Sequence, residues 1–465
     1  MNNEQTIIDQ LDKIKSNQTN VVLFSPCRIG EGILQLGNLE RDNLIFKFKK
    51  GHYSQTYFIP ASGSGSRMFA FLFDYFNQQE ASDFGSIERF MNHIQEFAFY
   101  HTLPLEIRER IASDTISIEE LITYLLGEEG LNFASLPKGL VPFHYLEPFV
   151  LNPFQEHILQ GDKLSNGKVK FHFTIQPEFE KKIAESIKSL ELLTAKKYDV
   201  SFSVQSKESD SYAFTKDGEL AMDNGEVIRR PAGHGALLEN LNQIDSDIVF
   251  IRNIDNIQHF DNSQQSADAW AILGGMLQDF RQKMNVVAAK PTKDYLVELN
   301  QQYQFLSPSE INAIKTEADI LKIINRPIRV CGMVRNEGQP GGGPFWIDDN
   351  GVITKQIVEK AQISMQPDQF KLMIKSTHFN PVMMALCPKD LNGNKLDLND
   401  YKDESKYFVV NKQHKGQDIQ YIELPGLWNG SMANWNTLFV EISQSTFSPV
   451  KTILDLLVDD HKGKK

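Results

Sequence analysis

Only three cysteines occur in the 465 residues, Cys27, Cys331 and Cys387. They are too few and too dispersed for a disulfide framework or a tetrahedral zinc site, and this makes a reducing cytoplasm the expected location. Basic charge is also scarce, with 48 Lys+Arg against 60 Asp+Glu and a formal net charge of -12. That balance excludes an electrostatic footprint for nucleic acid, so any phosphate binding must be local. No stretch approaches the ~20 apolar residues of a membrane span. The first residues lack the basic and apolar regions of a signal peptide. Two common phosphate fingerprints are missing as well. Met68 stands where a dinucleotide fingerprint needs its third glycine, and no G-x-x-x-x-G-K-[ST] is present.

What is present points to a large globular chain. A hydrophobic content of 41% can bury a sizeable core, and about 100–200 residues per domain allows two to four units. Tyr57, Phe58 and Ile59 form a short apolar β-type run, Gly63 and Gly65 break it, and a helical apolar pattern starts at Met68. Such a strand, glycine loop and helix lets backbone N–H groups approach a phosphate closely. Residues 69 to about 135 then read as helical, with Ser117 to Glu120 as a capping box.

Alternating runs predict strands at Val169 to Phe173 and after Tyr198. Asp247 to Ile251 is a short apolar strand that ends in Asn253-Ile254-Asp255-Asn256. In parallel α/β sheets ligands collect beyond the carboxyl ends of strands. A carboxylate there can hold magnesium, which takes one or two oxygens from protein and the rest from water and phosphate. Asp255 is therefore the candidate metal ligand, with Mg2+ the expected cofactor. Residues 270 to 326 read as helical, with a capping box and N1 proline at Ser307 to Glu310. Asp348 to Gly351 predicts a hairpin turn, and the glycine triplet Gly341 to Gly343 reads as a mobile loop.

Five motifs carry a resemblance to the UDP-sugar pyrophosphorylase group. They are Gly63-Ser64-Gly65-Ser66-Arg67, Pro137-Lys138-Gly139, Pro231-Ala232-Gly233-His234-Gly235, Asn253-Ile254-Asp255-Asn256 and Phe447-Ser448-Pro449-Val450-Lys451-Thr452, in family order. The chain resembles a divergent bacterial branch of that group. The resemblance implies a GT-A-type α/β fold, a mixed and mostly parallel sheet flanked by helices. A helical insertion at about 69–135 would separate Arg67 from Lys138. It implies residues 1–50 as an N-terminal helical extension, 51–400 as the core, and 401–465 as a segment returning Lys451 to the site.

The implied activity is transfer of a uridylyl group from UTP to a sugar 1-phosphate with release of pyrophosphate. The attacking group is already an anionic phosphate oxygen, so positioning and charge neutralisation suffice. The resemblance places Gly63, Gly65, Ser66, Arg67 and Lys138 on the triphosphate, and Lys451 on the phosphates of the sugar side. Gln205, Gly233, His234 and Gly235 would meet the base, without an acid–base role for His234, and Thr174 matches a family strand position. Glu359 and Asn380 would meet the sugar, although Lys360 replaces the family's tyrosine and Pro381 and Val382 replace two asparagines. Sugar, base and oligomeric state stay open, and neither nucleic acid nor membrane is an expected partner. A GT-A glycosyltransferase and a catalytically silent sugar-nucleotide-binding protein are the alternatives. The enzyme reading requires Arg67, Lys138, Asp255 and Lys451 to converge, with Lys451 within ~10 Å of Asp255.

Overall fold

Two sets of mainly parallel strands organise the computed structural model, which describes residues 3–16, 21–77, 83–165, 169–338 and 341–464. The chain divides into two compact units. The first comprises Met1–Ser54, Gln205–Ile251 and Trp270–Ile442, and the second Gln55–Val204, Arg252–Ala269 and Ser443–Lys465. These boundaries cut the chain differently from the sequence expectation.

In the first unit the strands Arg28–Ile29, Gly32–Leu34, Asn436–Glu441, Ile328–Arg335, Met384–Cys387 and Ile248–Ile251 lie side by side in that order. Gly32–Leu34 and Ile328–Arg335 both run parallel to Asn436–Glu441, whereas Met384–Cys387 is antiparallel to both of its neighbours. The central strands are buried along nearly their whole length, which is why they read as continuous apolar runs and not as alternation. Helix Asn38–Lys50 approaches Gly275 so closely that a Cβ there would lie 2.3 Å from the Leu44 carbonyl oxygen. Only glycine permits that crossing.

Residues 1–50 are not a purely helical extension. Helices Asn3–Ser16 and Asn38–Lys50 are joined by strands, and Val22–Pro26 pairs antiparallel with Gly343–Asp349. A partner more than 300 positions away leaves no local signature. The Gly341 to Gly343 segment also differs from expectation: Gly342 bridges Asn380, and Gly343 opens the strand that pairs with Val352–Val358. Asn350 and Gly351, both at positive φ, make the expected hairpin turn.

In the second unit Gln55–Pro60, Val169–Ile175 and Asp199–Val204 form a parallel sheet with Val169–Ile175 in the middle. Parallel neighbours need crossovers, and helices Pro153–Leu164 and Glu180–Thr194 precede the second and third strands. Between the Gln55–Pro60 strand and residue 137 the described residues hold helices and 3₁₀ turns, as the periodicity predicts. Phe69, Phe90, Phe97, Phe99 and Phe133 are buried in one apolar cluster there. That cluster also takes in Val450, Ile453, Leu454, Leu456 and Leu457 from the far end of the chain. No helix among the described residues is long and apolar enough to cross a membrane.

Candidate functional site: a lysine–aspartate–lysine cluster

The glycine loop follows strand Gln55–Pro60, whose register continues for one more bond, Ala61 N–H to the Thr174 carbonyl at 2.9 Å. From there the loop is zipped to the Pro137-Lys138 segment. Gly65 N–H donates to the Leu136 carbonyl at 3.0 Å, and Lys138 N–H donates to the Gly63 carbonyl at 3.1 Å. A Cβ on Gly65 would lie 2.8 Å from that Leu136 oxygen, so the close pairing needs glycine. At Gly63 an added Cβ would meet nothing within 4 Å, which leaves its outer side open. Ser64 and Ser66 hydroxyls bond each other at 2.9 Å, and Arg67 is exposed on the following 3₁₀ turn.

Lys138, Asp255 and Lys451 meet directly. Asp255 Oδ2 accepts from Lys138 Nζ at 3.1 Å and from Lys451 Nζ at 2.9 Å. Lys138 Nζ also donates to the Val450 carbonyl at 2.8 Å. The backbone fixes the same contact, because Val450 N–H donates to the Asp255 carbonyl at 2.9 Å and Ser448 N–H to Asn256 Oδ1 at 3.0 Å. Asp455 Oδ2 then accepts from the N–H groups of Lys451 and Thr452, each at 2.7 Å, and so orients the lysine's backbone. The Lys138 and Asp255 side chains are 14% and 12% exposed, whereas Lys451 is 57% exposed. One cation is thus sunk in the protein and the other reaches into solvent.

Burial pushes the Asp255 carboxyl up, but the ammonium groups of Lys138 and Lys451 outweigh it and hold the acid below its usual range. Lys138 is lowered, chiefly by burial, and the charges of Lys451 and Arg67 add to the effect while Asp255 opposes it. Arg67 therefore belongs to the same electrostatic neighbourhood. No group of three or more His, Cys, Asp or Glu side chains able to hold a metal occurs among the described residues.

A second arrangement lies within the first unit. Gly233 has φ +74°, and a Cβ on it would lie 2.5 Å from Glu423 Oε2; one on Gly235 would lie 2.2 Å from the Pro425 carbonyl oxygen. Both glycines are required by the backbone path. His234 Nδ1 accepts from the Leu427 N–H at 2.9 Å, so the proton sits on Nε2, which donates to Glu359 Oε1 at 3.1 Å. The imidazole stacks on Trp428 with centroids 4.2 Å apart. Asn429 Nδ2 also donates to Glu359 Oε1, at 3.0 Å. Burial raises the Glu359 carboxyl, but the bond from His234 and its other hydrogen bonds bring it below its usual value.

The remaining expected residues are placed otherwise. Asn380 is buried, and its amide is engaged by backbone: Nδ2 donates to the Gly332 carbonyl at 2.8 Å and Oδ1 accepts from Val382 N–H at 3.1 Å. It ties its own loop to strand Ile328–Arg335. Gln205 lies half-buried just past strand Asp199–Val204. Thr174 is fully buried, and its hydroxyl has no hydrogen-bond partner.

Sequence reasoning overlooked Asp455, Asn429 and a buried histidine–glutamate brace in the second unit. In that brace His144 Nδ1 meets Glu156 Oε1 at 2.7 Å and His144 Nε2 meets His461 Nδ1 at 2.9 Å, all three side chains being buried. Burial pushes Glu156 up to about 7 and keeps His144 well below its ordinary value. His157 and His461 are both lowered to about 3, again by burial. Each such histidine takes up a proton when unfolded and not when folded, so its contribution is present above pH ~6.5 and is lost as pH falls below it. Glu156 acts in the opposite direction, because the folded state binds its proton more tightly. With three depressed histidines against one raised glutamate, denaturant unfolding should show lower stability at pH 5.5 than at pH 7.5. Equal stability at both values would show that these groups are not held neutral by burial.

Solved structures similar to this chain include the uridine diphosphate N-acetylglucosamine pyrophosphorylase from Trypanosoma brucei, at 12% identity and TM-score 0.48, covering 97% of this chain and 74% of that one. A UDP-N-acetylglucosamine pyrophosphorylase from Entamoeba histolytica matches at 12% identity and TM-score 0.47, covering 94% and 85%. A UDP-glucose phosphorylase from Trypanosoma brucei matches at 11% identity and TM-score 0.44, covering 98% and 81%. No curated protein matches the chain in sequence. A family model matches residues 1–462, and the chain belongs to that family, described as Domain of unknown function (DUF4301).

Proposed function

We propose that the chain is a nucleotidyltransferase that moves a nucleoside monophosphate, with UTP as the favoured donor, onto a sugar 1-phosphate and releases pyrophosphate. The observation that carries this reading is the double contact of Lys138 and Lys451 on one Asp255 oxygen, beside a glycine loop zipped to the Lys138 backbone. In-line displacement at the α-phosphorus needs no general base, because the attacking oxygen is already an anion. It needs fixed positive charge where negative charge is concentrated.

Exposure and tethering support the proposed roles. Lys138 is half of a buried pair and stays in place, so it faces the triphosphate held by the Gly63–Arg67 loop. Lys451 is mostly exposed and can turn from Asp255 to a phosphate oxygen, a point charge on a flexible stem. Arg67 presents a fork suited to two phosphate oxygens. Asp255 holds the two ammonium groups through one oxygen. A single carboxylate suits magnesium, which draws most of its ligands from phosphate and water; bound there, the ion would neutralise phosphate charge. By the resemblance His234 would meet the base and Glu359 the sugar.

The test is a pyrophosphate-release screen of several nucleoside triphosphates against a panel of sugar 1-phosphates. We expect release with UTP and at least one sugar 1-phosphate, reduced at least about tenfold in Lys451→Ala, since solvent replaces part of an exposed charge. No release across the panel, or release that is indifferent to Lys451, would overturn the proposal.

A further inference from the structure

Residues 458–464 are held in the second unit by a run of buried hydrogen bonds. Glu156 Oε1 meets His144 Nδ1 at 2.7 Å, and His144 Nε2 meets His461 Nδ1 at 2.9 Å. Glu156 Oε2 is already taken, since it accepts from Gln160 Nε2 at 3.0 Å, and a second bond from that nitrogen to the Gln258 carbonyl at 2.8 Å fixes the amide. His144 and Glu156 are wholly buried, and His461 is 4% exposed. Each of the two gaps in the run holds one proton, and His461 Nε2 can hold a third. Three protons on one carboxyl and two imidazoles leave the run electrically neutral. A fourth has no seat, because it sets two donors face to face and breaks a bond.

We propose that residues 458–464 are an acid-released clasp, which opens when His461 takes up a proton while the rest of the second unit stays folded. Docked, the run cannot accept that proton with its bonds intact; released, His461 is an ordinary imidazole. Burial acts in the same sense, holding Glu156 up at about 7 and His461 down at about 3. Below pH ~6.5 opening takes up protons on His144 and His461, and above pH ~4.3 it gives back the one on Glu156, so the net is one proton and acid favours opening. The other ionisable groups around the pair are His259, whose ring lies 5.4 Å from that of His144, Asp261 beside it, Asp455 and Asp460 near His461, and Lys462, which pairs with Glu96. His259 is fully engaged, with Nδ1 accepting from the Asp261 N–H and Nε2 donating to the Tyr145 carbonyl. His101 stacks on Tyr145, and His157 turns away to the Ile254 carbonyl. The remaining ties of the clasp run to one short segment, where Asn262 Nδ2 donates to the Asp459, Asp460 and Lys462 carbonyls and His259 N–H to the Asp460 carbonyl. Asp460 Oδ2 also accepts from Ser448 Oγ, three residues before Lys451, so release loosens the seat of that lysine. Only this last consequence rests on the function proposed above.

Amide hydrogen exchange of the full chain, followed by mass spectrometry and corrected for the intrinsic effect of pH, reads local opening without any nucleotide. Between pH 7.5 and 5.0 the protection of residues 458–464 should fall about tenfold, while strand Val169–Ile175 stays at least about tenfold better protected than they are. In His461→Gln, which keeps a hydrogen-bonding side chain and does not titrate, the fall should vanish. Should that variant be open at both pH values, Glu156→Gln decides: its amide replaces the neutral carboxyl, no proton is given back on opening, and the fall should steepen to about a hundredfold or more. The proposal is overturned if residues 458–464 are equally protected at both pH values, if the strand loses its protection together with them, or if the fall persists in His461→Gln. An unchanged or smaller fall in Glu156→Gln overturns it equally.

Discussion

In the proposed pyrophosphate-release reaction Asp255→Asn is expected to lower turnover by about 10²–10³-fold, and it should cost about 3–5 kcal/mol of unfolding free energy. The stability loss follows from burial: the Asp255 and Lys138 side chains are 12% and 14% exposed, so a neutral amide leaves Lys138 as an uncompensated charge in a poorly solvated position. The kinetic loss follows from geometry. One oxygen of Asp255 sets the positions of two ammonium groups, and an amide oxygen with weaker charge holds neither firmly. The same change alters the acid limb of the stability curve. The folded carboxyl lies below the unfolded value, so its contribution is present above the ordinary aspartate range and disappears as pH falls through the folded value. The variant should lack that portion of acid sensitivity. Turnover and denaturant midpoints measured on both proteins decide the matter, and a variant within a few-fold of wild-type turnover would remove Asp255 from the mechanism.

Arg329→Leu should destabilise the first unit strongly, costing at least about 3 kcal/mol. Arg329 is fully buried and makes three charge-assisted bonds: to Thr437 Oγ1 at 2.7 Å, the Trp428 carbonyl at 2.6 Å and Gln356 Oε1 at 3.2 Å. Leucine fills part of the volume but leaves two buried acceptors and one part-buried carbonyl without this donor. The Trp428 carbonyl is the most consequential of them, because the indole of that residue stacks on His234. Unfolding by denaturant measures the loss, and a value under about 1 kcal/mol would mean that the neighbours re-pair among themselves.

Much of the fold was legible because its signals are local. Strands Gln55–Pro60, Val169–Ile175 and Ile248–Ile251, the helices of the insertion and the Ser307 cap all follow from spacing within a few residues. The meeting of Lys138, Asp255 and Lys451 was legible differently. Lys138 and Asp255 are 117 positions apart, and Lys451 and Asp255 are 196 apart, so no periodicity links them. Only the order of the motifs did. What stayed hidden depends on long-range pairing without a motif. Val22–Pro26 becomes a strand because Gly343–Asp349 lies beside it, and His144 meets His461 only through the fold. Asn380 shows the reverse error, since a motif-like asparagine proved to be engaged by backbone.

The placement of Val450, Ile453, Leu454, Leu456 and Leu457 inside the phenylalanine cluster of the insertion bears on how the protein is made. The helices that they complete are synthesised roughly 330 residues earlier, an interval of about 15–65 s at 5–20 residues per second. During that time the nascent chain carries an apolar surface whose covering segment does not yet exist. Such a surface invites association between polysomes and capture by chaperones. Expression at lower temperature or with added chaperone capacity should therefore raise the yield of folded chain.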